Sequence, residues 1–518
     1  MRTVLVPHPA SGGVRRGAST VVVDAAGHPV EPVREHPDLA AAVAAIESAQ
    51  RPRWVWTSTA TVHPELLRAG VRVQRCHDLA TTGTILAVRE GLPPPAAAEP
   101  VDERPGLFDT APAVGIDEVV ERFAEQRRRI AGDARLELLV AAESAGTLAA
   151  AEMSFYGLPF SAEAHRRLLE DTLGPRPSGH DLPMRIVEVI EEIGSVFGRP
   201  VNPASAAEVL EAFRREGIGV DSTRKHVLQQ IDHPAVPLLL RHRDLSKLFS
   251  TNGWHWLDTW VHDNRFRPVY VPGAVVSGRW ASRGGGALQI PKALRTSVVA
   301  DPGWSFVVAD AGQLEPRILA AMSGDRRMVT AAGADDLYAP VAAASFGGDR
   351  AKAKVAVLGV LYGATSGDAR ALLAVLRRSF PTAVDFVERA AHAGERGEVV
   401  RSWLGRACPP APEDFHSRGD AHARGRFTRN FVVQATAAEW ALCLLAELRR
   451  RLLTDPDAGE LVFFQHDEVV VHTRNPELAA AHIDAAVEVA TKLMFGDTQV
   501  RFPMDTAVRT VYAEDSDT

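Results

Sequence analysis

Residues 461–473 read Leu-Val-Phe-Phe-Gln-His-Asp-Glu-Val-Val-Val-His-Thr. Two apolar, β-prone runs flank a polar core, His466-Asp467-Glu468, which is the pattern of a tight β-hairpin. The hairpin pushes two adjacent carboxylates out of an otherwise greasy setting. Carboxylates on a rigid strand tip are costly unless a cation sits there, and the usual cation is a divalent metal. The stretch therefore calls for a second metal-binding carboxylate and a set of phosphate-binding cations elsewhere in the chain.

Four segments answer that call. Val307-Val308-Ala309-Asp310 reads as a buried strand ending in an acid, with a helix expected from about Gln313 through Leu314-Glu315-Pro316-Arg317. A carboxylate beside a helix start is well placed for metal and phosphate, although an aspartate there also serves as an ordinary cap. Residues 349–363 read as a helix on which Arg350, Lys354, Leu358 and Tyr362 recur every four residues and share a face. Two cations then stand at one end, with a ring about 12 Å from Lys354. That suits a triphosphate and a base, and equally a solvated basic helix with Tyr362 in the core. Ser277-Gly278-Arg279-Trp280, followed by Leu288-Gln289-Ile290-Pro291 and Arg295, offers close backbone approach and arginines for phosphates, or a plain surface loop. Arg426, Asn430 and Gln434 recur every four residues as a polar stripe leading into and along an apolar helix expected at 430–450. Its amides need partners, from nucleic acid or from the protein itself.

Composition narrows the setting. The chain has 518 residues, enough for roughly three domains. Its apolar fraction is 46% and its net charge −7, which argues against a simple basic nucleic-acid module without excluding a DNA enzyme. The three cysteines, Cys76, Cys408 and Cys443, fit neither a disulfide framework nor a zinc spacing. No uninterrupted apolar run of membrane-spanning length and no signal peptide are read, so a reducing, cytoplasmic setting without a membrane is expected. Strands at 3–6, 20–23 and 53–57 with a helix at 38–49 predict a small α/β domain. A Pro/Ala-rich linker follows at 93–114, then mostly helix from 115 to about 250, with Ser205 able to cap a helix. A further helix is expected at 477–494.

No segment is specific alone, but their order is. The chain from Arg279 to Glu468 resembles the polymerase region of family A DNA polymerases, the bacterial DNA polymerase I group. Asp310 with Gln313, Glu315 and Arg317 resembles that family's motif A. Arg350, Lys354, Tyr362 and Gly363 resemble motif B, and His466-Asp467-Glu468 motif C. Ser277-Gly278-Arg279 and Arg295 fall where the family places its primer-side motif. Arg426, Asn430 and Gln434 fall on its template-and-primer helix, and Asp244–Thr251 on its thumb-to-palm segment. The likeness covers about 140–515.

The resemblance implies an α/β multidomain fold, a right-hand polymerase with an antiparallel palm sheet and helical fingers and thumb, preceded by a small RNase H-like α/β domain. The expected divisions are 1–105 (a degenerate 3′–5′ exonuclease-like domain), 106–265 (helical connector and thumb), 266–324 (first part of the palm), 325–426 (fingers) and 427–518 (second part of the palm). It implies a template-directed DNA polymerase, a nucleotidyltransferase serving repair or gap filling, that adds deoxynucleotides to a primer 3′-OH through two Mg²⁺ ions, with Mn²⁺ as a substitute. Asp310 and Asp467 would hold the metals, with Glu468 a secondary acid. Arg350 and Lys354 would neutralise the phosphates, Lys354 also protonating the pyrophosphate. Tyr362, Gln313 and Leu358 would line the nucleotide, and Glu315 would act as steric gate against a ribose 2′-OH. Arg279, Arg295, Arg426, Asn430, Gln434 and His466 would hold DNA. Partners are primer–template DNA and dNTPs, for a monomer in a bacterial cytoplasm at the nucleoid.

Three departures bear on selectivity. The family's aromatic after the motif A aspartate is Ala311 here, its motif B Phe or Tyr is Leu358, and its phosphate-contacting His is Tyr338. In the N-terminal domain, Val21-Val22-Val23-Asp24 lacks the proofreading Asp-x-Glu, and Cys76-His77-Asp78-Leu79 is at most a remnant of a second motif. A structural, non-catalytic domain is expected there, and no 5′-nuclease domain. The alternatives are a bifunctional exonuclease–polymerase and a non-catalytic DNA-binding relic.

Overall fold

The structure is a computed structural model that describes residues 1–9, 16–92, 114–179, 181–286, 290–363, 368–412, 414–415 and 419–513. The linker expected at 93–114 and the residues Leu288 and Gln289 lie outside it, save Val114. The chain divides into two compact units. The first holds Met1–Tyr156, Val269–Ala281 and Pro302–Thr510, and the second Gly157–Pro268, Ser282–Asp301 and Val511–Thr518.

The first unit begins with strands β1 (Arg2–Pro7), β2 (Ala18–Val23) and β3 (Arg34–His36), helix α1 (Leu39–Gln50), β4 (Arg53–Trp56), α2 (Thr59–Arg68), β5 (Arg75–Asp78) and α3 (Leu79–Arg89). The sheet order is β3-β2-β1-β4-β5, antiparallel on one side of β1 and parallel on the other. Strands β1 and β4 bury Val4, Leu5, Trp54, Val55 and Trp56 almost completely, as a strand covered on both faces must. Two long helices follow, α4 (Ile116–Ile130) and α5 (Ala134–Tyr156). Asp78 accepts from Thr59 N at 2.6 Å and Thr81 N at 2.8 Å, so this buried acid caps two helices. Asp24 accepts the backbone N–H groups of Ala26, Gly27 and His28 and closes a turn.

The rest of the unit is built on β6 (Ser305–Ala311), α6 (Leu314–Ser323), α7 (Arg350–Tyr362), α8 (Pro381–Glu395), α9 (Ala421–Thr454), β7 (Glu460–Gln465), β8 (Glu468–Thr473), α10 (Pro476–Phe495) and β9 (Met504–Arg509). The four strands run β7-β8-β6-β9, antiparallel throughout. The hairpin read at 461–473 is β7 and β8, closed by His466 and Asp467, and β6 lies beside it so that Asp310 registers with Glu468. Strand β9 was not foreseen. It lies on the far side of β6 and sets Asp505 opposite Asp310. Helix α9 starts earlier and ends later than the expected 430–450. It is long and apolar enough by length and composition to cross a membrane, a property the sequence reading did not credit to it, but 83% of that window is buried inside protein, as in a core helix. All three cysteines are buried and free.

The second unit packs helices Ala162–Leu173, Met184–Val196, Ala206–Arg215 and Ala235–Asn252 around Leu169, Leu173, Ile186, Ile193 and Phe213. Ser161 and Ser205 cap two of them, accepting from Ala164 N and Glu208 N. Arg295 belongs to this unit, its guanidinium 5.0 Å from the centre of the Tyr512 ring.

Candidate active site

Segments far apart in the sequence converge in the first unit on an open cleft of about 390 Å³. Its lining includes Arg279, Asp310, Gln313, Glu315, Arg350, Lys354, Leu358, Tyr362, His466 and Asp467, together with Tyr338, Ala437 and Ala438. Glu468 and the Arg426–Asn430–Gln434 stripe lie outside that lining. The stripe is on the open side of α9: Gln434 alone escapes full burial among residues 431–445. The buried Asn430 Oδ1 has no hydrogen-bond partner among the described residues.

Two aspartates are brought together by β-structure. Asp310 ends β6, and Asp467 sits in the turn before β8, its carbonyl accepting from Ala311 N at 3.2 Å. Burial, and then the neighbouring Asp310, push the Asp467 carboxyl up to about 7. Burial and then Asp505 raise Asp310. Burial disfavours the charged form of each carboxyl, the neighbouring acid adds repulsion, and Arg279 offsets part of this at Asp467. The backbone is strained at the same place: His466 and Gln313, with φ of 59° each, are two of the five non-glycine residues with positive φ among those described. Such strain persists where surrounding structure enforces it.

The opposite wall is α7. Arg350 is held by Asp336 at 2.7 Å, and Asp336 also accepts from Gln313 Nε2 at 2.7 Å. The Arg350 guanidinium lies 5.6 Å from the centre of the Tyr338 ring. Lys354 lines the cleft with no ion-pair partner among the described residues. At the far end, the Tyr362 hydroxyl donates to Glu315 Oε2 at 2.6 Å, and Arg279 pairs with the same carboxylate. Arg317, fully buried, donates to the backbone carbonyls of Gly312, Ala332, Ala334, Asp335 and Arg501 and shapes the turn that carries Gln313. Sequence reasoning missed Asp336 and Asp505; Met504–Arg509 shows no apolar–polar alternation that would have marked the latter's strand.

Divalent cations fit the donor set. Asp310 and Asp467 bring two carboxylates to one cleft, and such hard oxygen ligands suit Mg²⁺ or Mn²⁺. No cluster of three or more His, Cys, Asp or Glu residues able to cage a metal exists among the described residues. Mg²⁺ tolerates this, because it keeps waters and takes substrate phosphates as ligands. A thermal consequence follows. A carboxyl whose folded pKa is raised costs stability as pH rises from its unfolded value, near 4, through the folded one, near 7. Metal-free Asp467→Asn should therefore melt above the wild type at pH 8, with the gap closing towards pH 5, and Mg²⁺ should stabilise the wild type more at pH 8 than at pH 5. Scanning calorimetry in chelator reads this; an Asp467→Asn protein melting below the wild type at pH 8 would contradict it.

Residues 179–514 match DNA polymerase family A. The chain is 27% identical over 353 residues to DNA polymerase I of Chloroflexus aurantiacus, a match covering 59% of this chain and 37% of that protein. It is 30% identical over 309 residues to the thermostable DNA polymerase I of Thermus filiformis, covering 53% and 36%. Among solved structures it resembles the POL domain of Pol1 from M. smegmatis, described in complex with DNA primer–template and dNTP, with a TM-score of 0.73 at 18% identity over 99% of this chain and 95% of that one. The chain belongs to DNA polymerase family A. Its fold is the α/β multidomain polymerase fold expected from the sequence. The chain spans little more than a third of the curated relatives quoted.

Proposed function

We propose that this chain is a template-directed DNA polymerase that adds deoxynucleotides to a primer 3′-OH, serving repair or gap filling. The observation that carries the reading is the single cleft in which Asp310 and Asp467 face Arg350 and Lys354. Two Mg²⁺ ions held by Asp310 and Asp467 would lower the pKa of the attacking hydroxyl and neutralise the triphosphate and leaving pyrophosphate. Lys354 binds the β- and γ-phosphates and delivers a proton to the pyrophosphate. Arg350 leaves Asp336 in part to join it, a point charge and a planar fork working together. Glu315, fixed by Arg279 and Tyr362, closes the space beside the sugar where a 2′-OH would sit. His466 faces the primer end, and Arg295, Arg426, Asn430 and Gln434 the DNA backbone and base edges. Glu468 supports Asp310 across the sheet as the lesser acid. The unit-one sheet β6–β9 serves as palm, the helices from Arg326 to Glu395 as fingers, and the helical second unit as thumb. We place the protein as a monomer in the bacterial cytoplasm, at the nucleoid.

Primer extension with Mg²⁺ and dNTPs tests the reading. Extension by the wild type and none by Asp310→Ala or Asp467→Ala is expected; no extension by any protein would leave a DNA-binding relic. The N-terminal α/β layer acts as structure rather than as a nuclease, since Asp24 closes a turn and Asp78 caps two helices. A 3′-mismatched primer should stay intact with Mg²⁺ alone, and magnesium-dependent trimming that Asp24→Ala abolishes would sink this part.

A further inference from the structure

The Ser277-Gly278-Arg279 turn rests on a buried ion pair that no step above uses. Glu143, on α5, is 1% exposed and Arg406 is 8% exposed, and the two form a salt bridge. A small hairpin aims Arg406. Cys408 N donates to Val400 O at 2.9 Å, and Ser402 N donates to Arg406 O at 2.9 Å. Buried Glu439, on α9, fixes that turn by accepting from Ser402 Oγ and, at 2.9 Å, from Leu404 N. The Arg406 guanidinium lies directly against the Gly278 backbone. A Cβ at Gly278 would stand 2.6 Å from Arg406 Nε and 2.8 Å from its Cζ. Gly278 has a φ of 83°, so glycine meets both the close approach and the left-handed backbone. The next residue, Arg279, enters the cleft and pairs with Glu315, which accepts from Tyr362.

We propose that Arg406, held by Glu143, is a positioning residue for the nucleotide pocket, fixing the 277–279 turn and through it Arg279, Glu315 and Tyr362. The inference rests on the polymerase reading and extends it to a residue outside the cleft lining. Glu143 Oε2 and Arg406 Nε have no hydrogen-bond partner among the described residues, and removing the Arg406 charge leaves the Glu143 carboxylate buried without its cation. Arg406→Lys keeps a cation for Glu143 and loses the flat guanidinium beneath Gly278. Displacement of a positioned group by about 1 Å costs up to roughly a hundredfold in rate.

Single-nucleotide insertion by the full chain on a primer–template, with melting temperature read alongside, tests the idea in a double-mutant cycle. Arg406→Lys should melt near the wild type and lose on the order of tenfold in kcat/KM for the matched dNTP. Its discrimination against the matching rNTP should weaken, because Glu315 is no longer fixed. Added to Arg279→Ala, it should cost nothing further. Wild-type kcat/KM in a folded Arg406→Lys, or the same factor lost with and without Arg279, would overturn the proposal. Should Arg406→Lys not fold, Gly278→Ala keeps both charges and forces the turn and the guanidinium apart. The same coupled loss is expected of it, and an indifferent Gly278→Ala would overturn the proposal equally. A wild type that extends no primer fails the polymerase reading itself, a result distinct from an active wild type that ignores Arg406→Lys.

Discussion

Asp467→Asn is expected to lower kcat for nucleotide addition by roughly a thousandfold or more, the effect of losing several kcal/mol of metal-borne charge stabilisation. The change is nearly isosteric, so the hairpin turn and the Ala311 N to Asp467 O hydrogen bond persist. Only the anion is lost, from a place where burial and Asp310 already push the carboxyl up to about 7. On the proposed two-metal reading, a metal there would keep Asp310 alone of the two carboxylates. Glu468→Gln should cost far less, because Glu468 lies in the sheet and outside the cleft lining. Pre-steady-state rates for the two variants at saturating dNTP make the comparison. An Asp467→Asn protein within tenfold of wild type, or a Glu468→Gln protein as dead as Asp467→Asn, would reverse the assignment of the doublet.

The largest stability effect is expected at Arg449. This residue is 2% exposed and donates to Glu152 at 2.6 and 2.9 Å and to the backbone carbonyls of Val73 and Gln74. It ties α9 to α5 and to the segment before β5. Burial alone would raise the Glu152 carboxyl, but Arg449, with His63 and Arg72, holds it well below the usual range. Arg449→Ala leaves that carboxylate buried with weaker partners and orphans two carbonyls, at a cost of about 3–5 kcal/mol. The pH dependence follows from the sign of the shift. In the wild type Glu152 contributes stability above the unfolded carboxyl pKa and loses it as pH falls through the lower folded one. In the variant burial dominates and the folded pKa rises. The gap between the two proteins should therefore be widest near neutrality and narrow on acidification. Urea unfolding at pH 7.5 and pH 5 measures it, and a variant indistinguishable from wild type at pH 7.5 would show that the pair contributes nothing net.

Much of the cleft was legible because it rests on local periodicity. The hairpin around Asp467 declares itself by β-prone runs on both sides, and α7 by cations and an aromatic at a spacing of four. The polar stripe on α9 was legible for the same reason, although its buried helix proved longer than the stripe. What escaped depends on contacts between distant segments. Asp336 reads as a loop acid, and only the fold sets it between Gln313 and Arg350. Asp505 lies on a strand whose pairing with β6 nothing in its neighbourhood announces. Asp78 looked like a remnant of a metal motif, yet its carboxylate is consumed by two helix starts, a distinction set by where the backbone N–H groups of Thr59 and Thr81 point. Glu143 sits in an alanine-rich helix, and its partner Arg406 follows some 260 residues later, beyond the reach of any periodicity.

In the proposed reaction the templating base chooses the nucleotide. The purified 518-residue chain, Mg²⁺ and four primer–templates differing only in the templating base measure it directly, each offered the four dNTPs singly. Addition of the complementary dNTP on every template, with each mismatched dNTP added at least about a hundredfold more slowly, a gap of roughly 2.7 kcal/mol, is the predicted result. Addition of the same nucleotides whatever the templating base, or no addition at all, would contradict it.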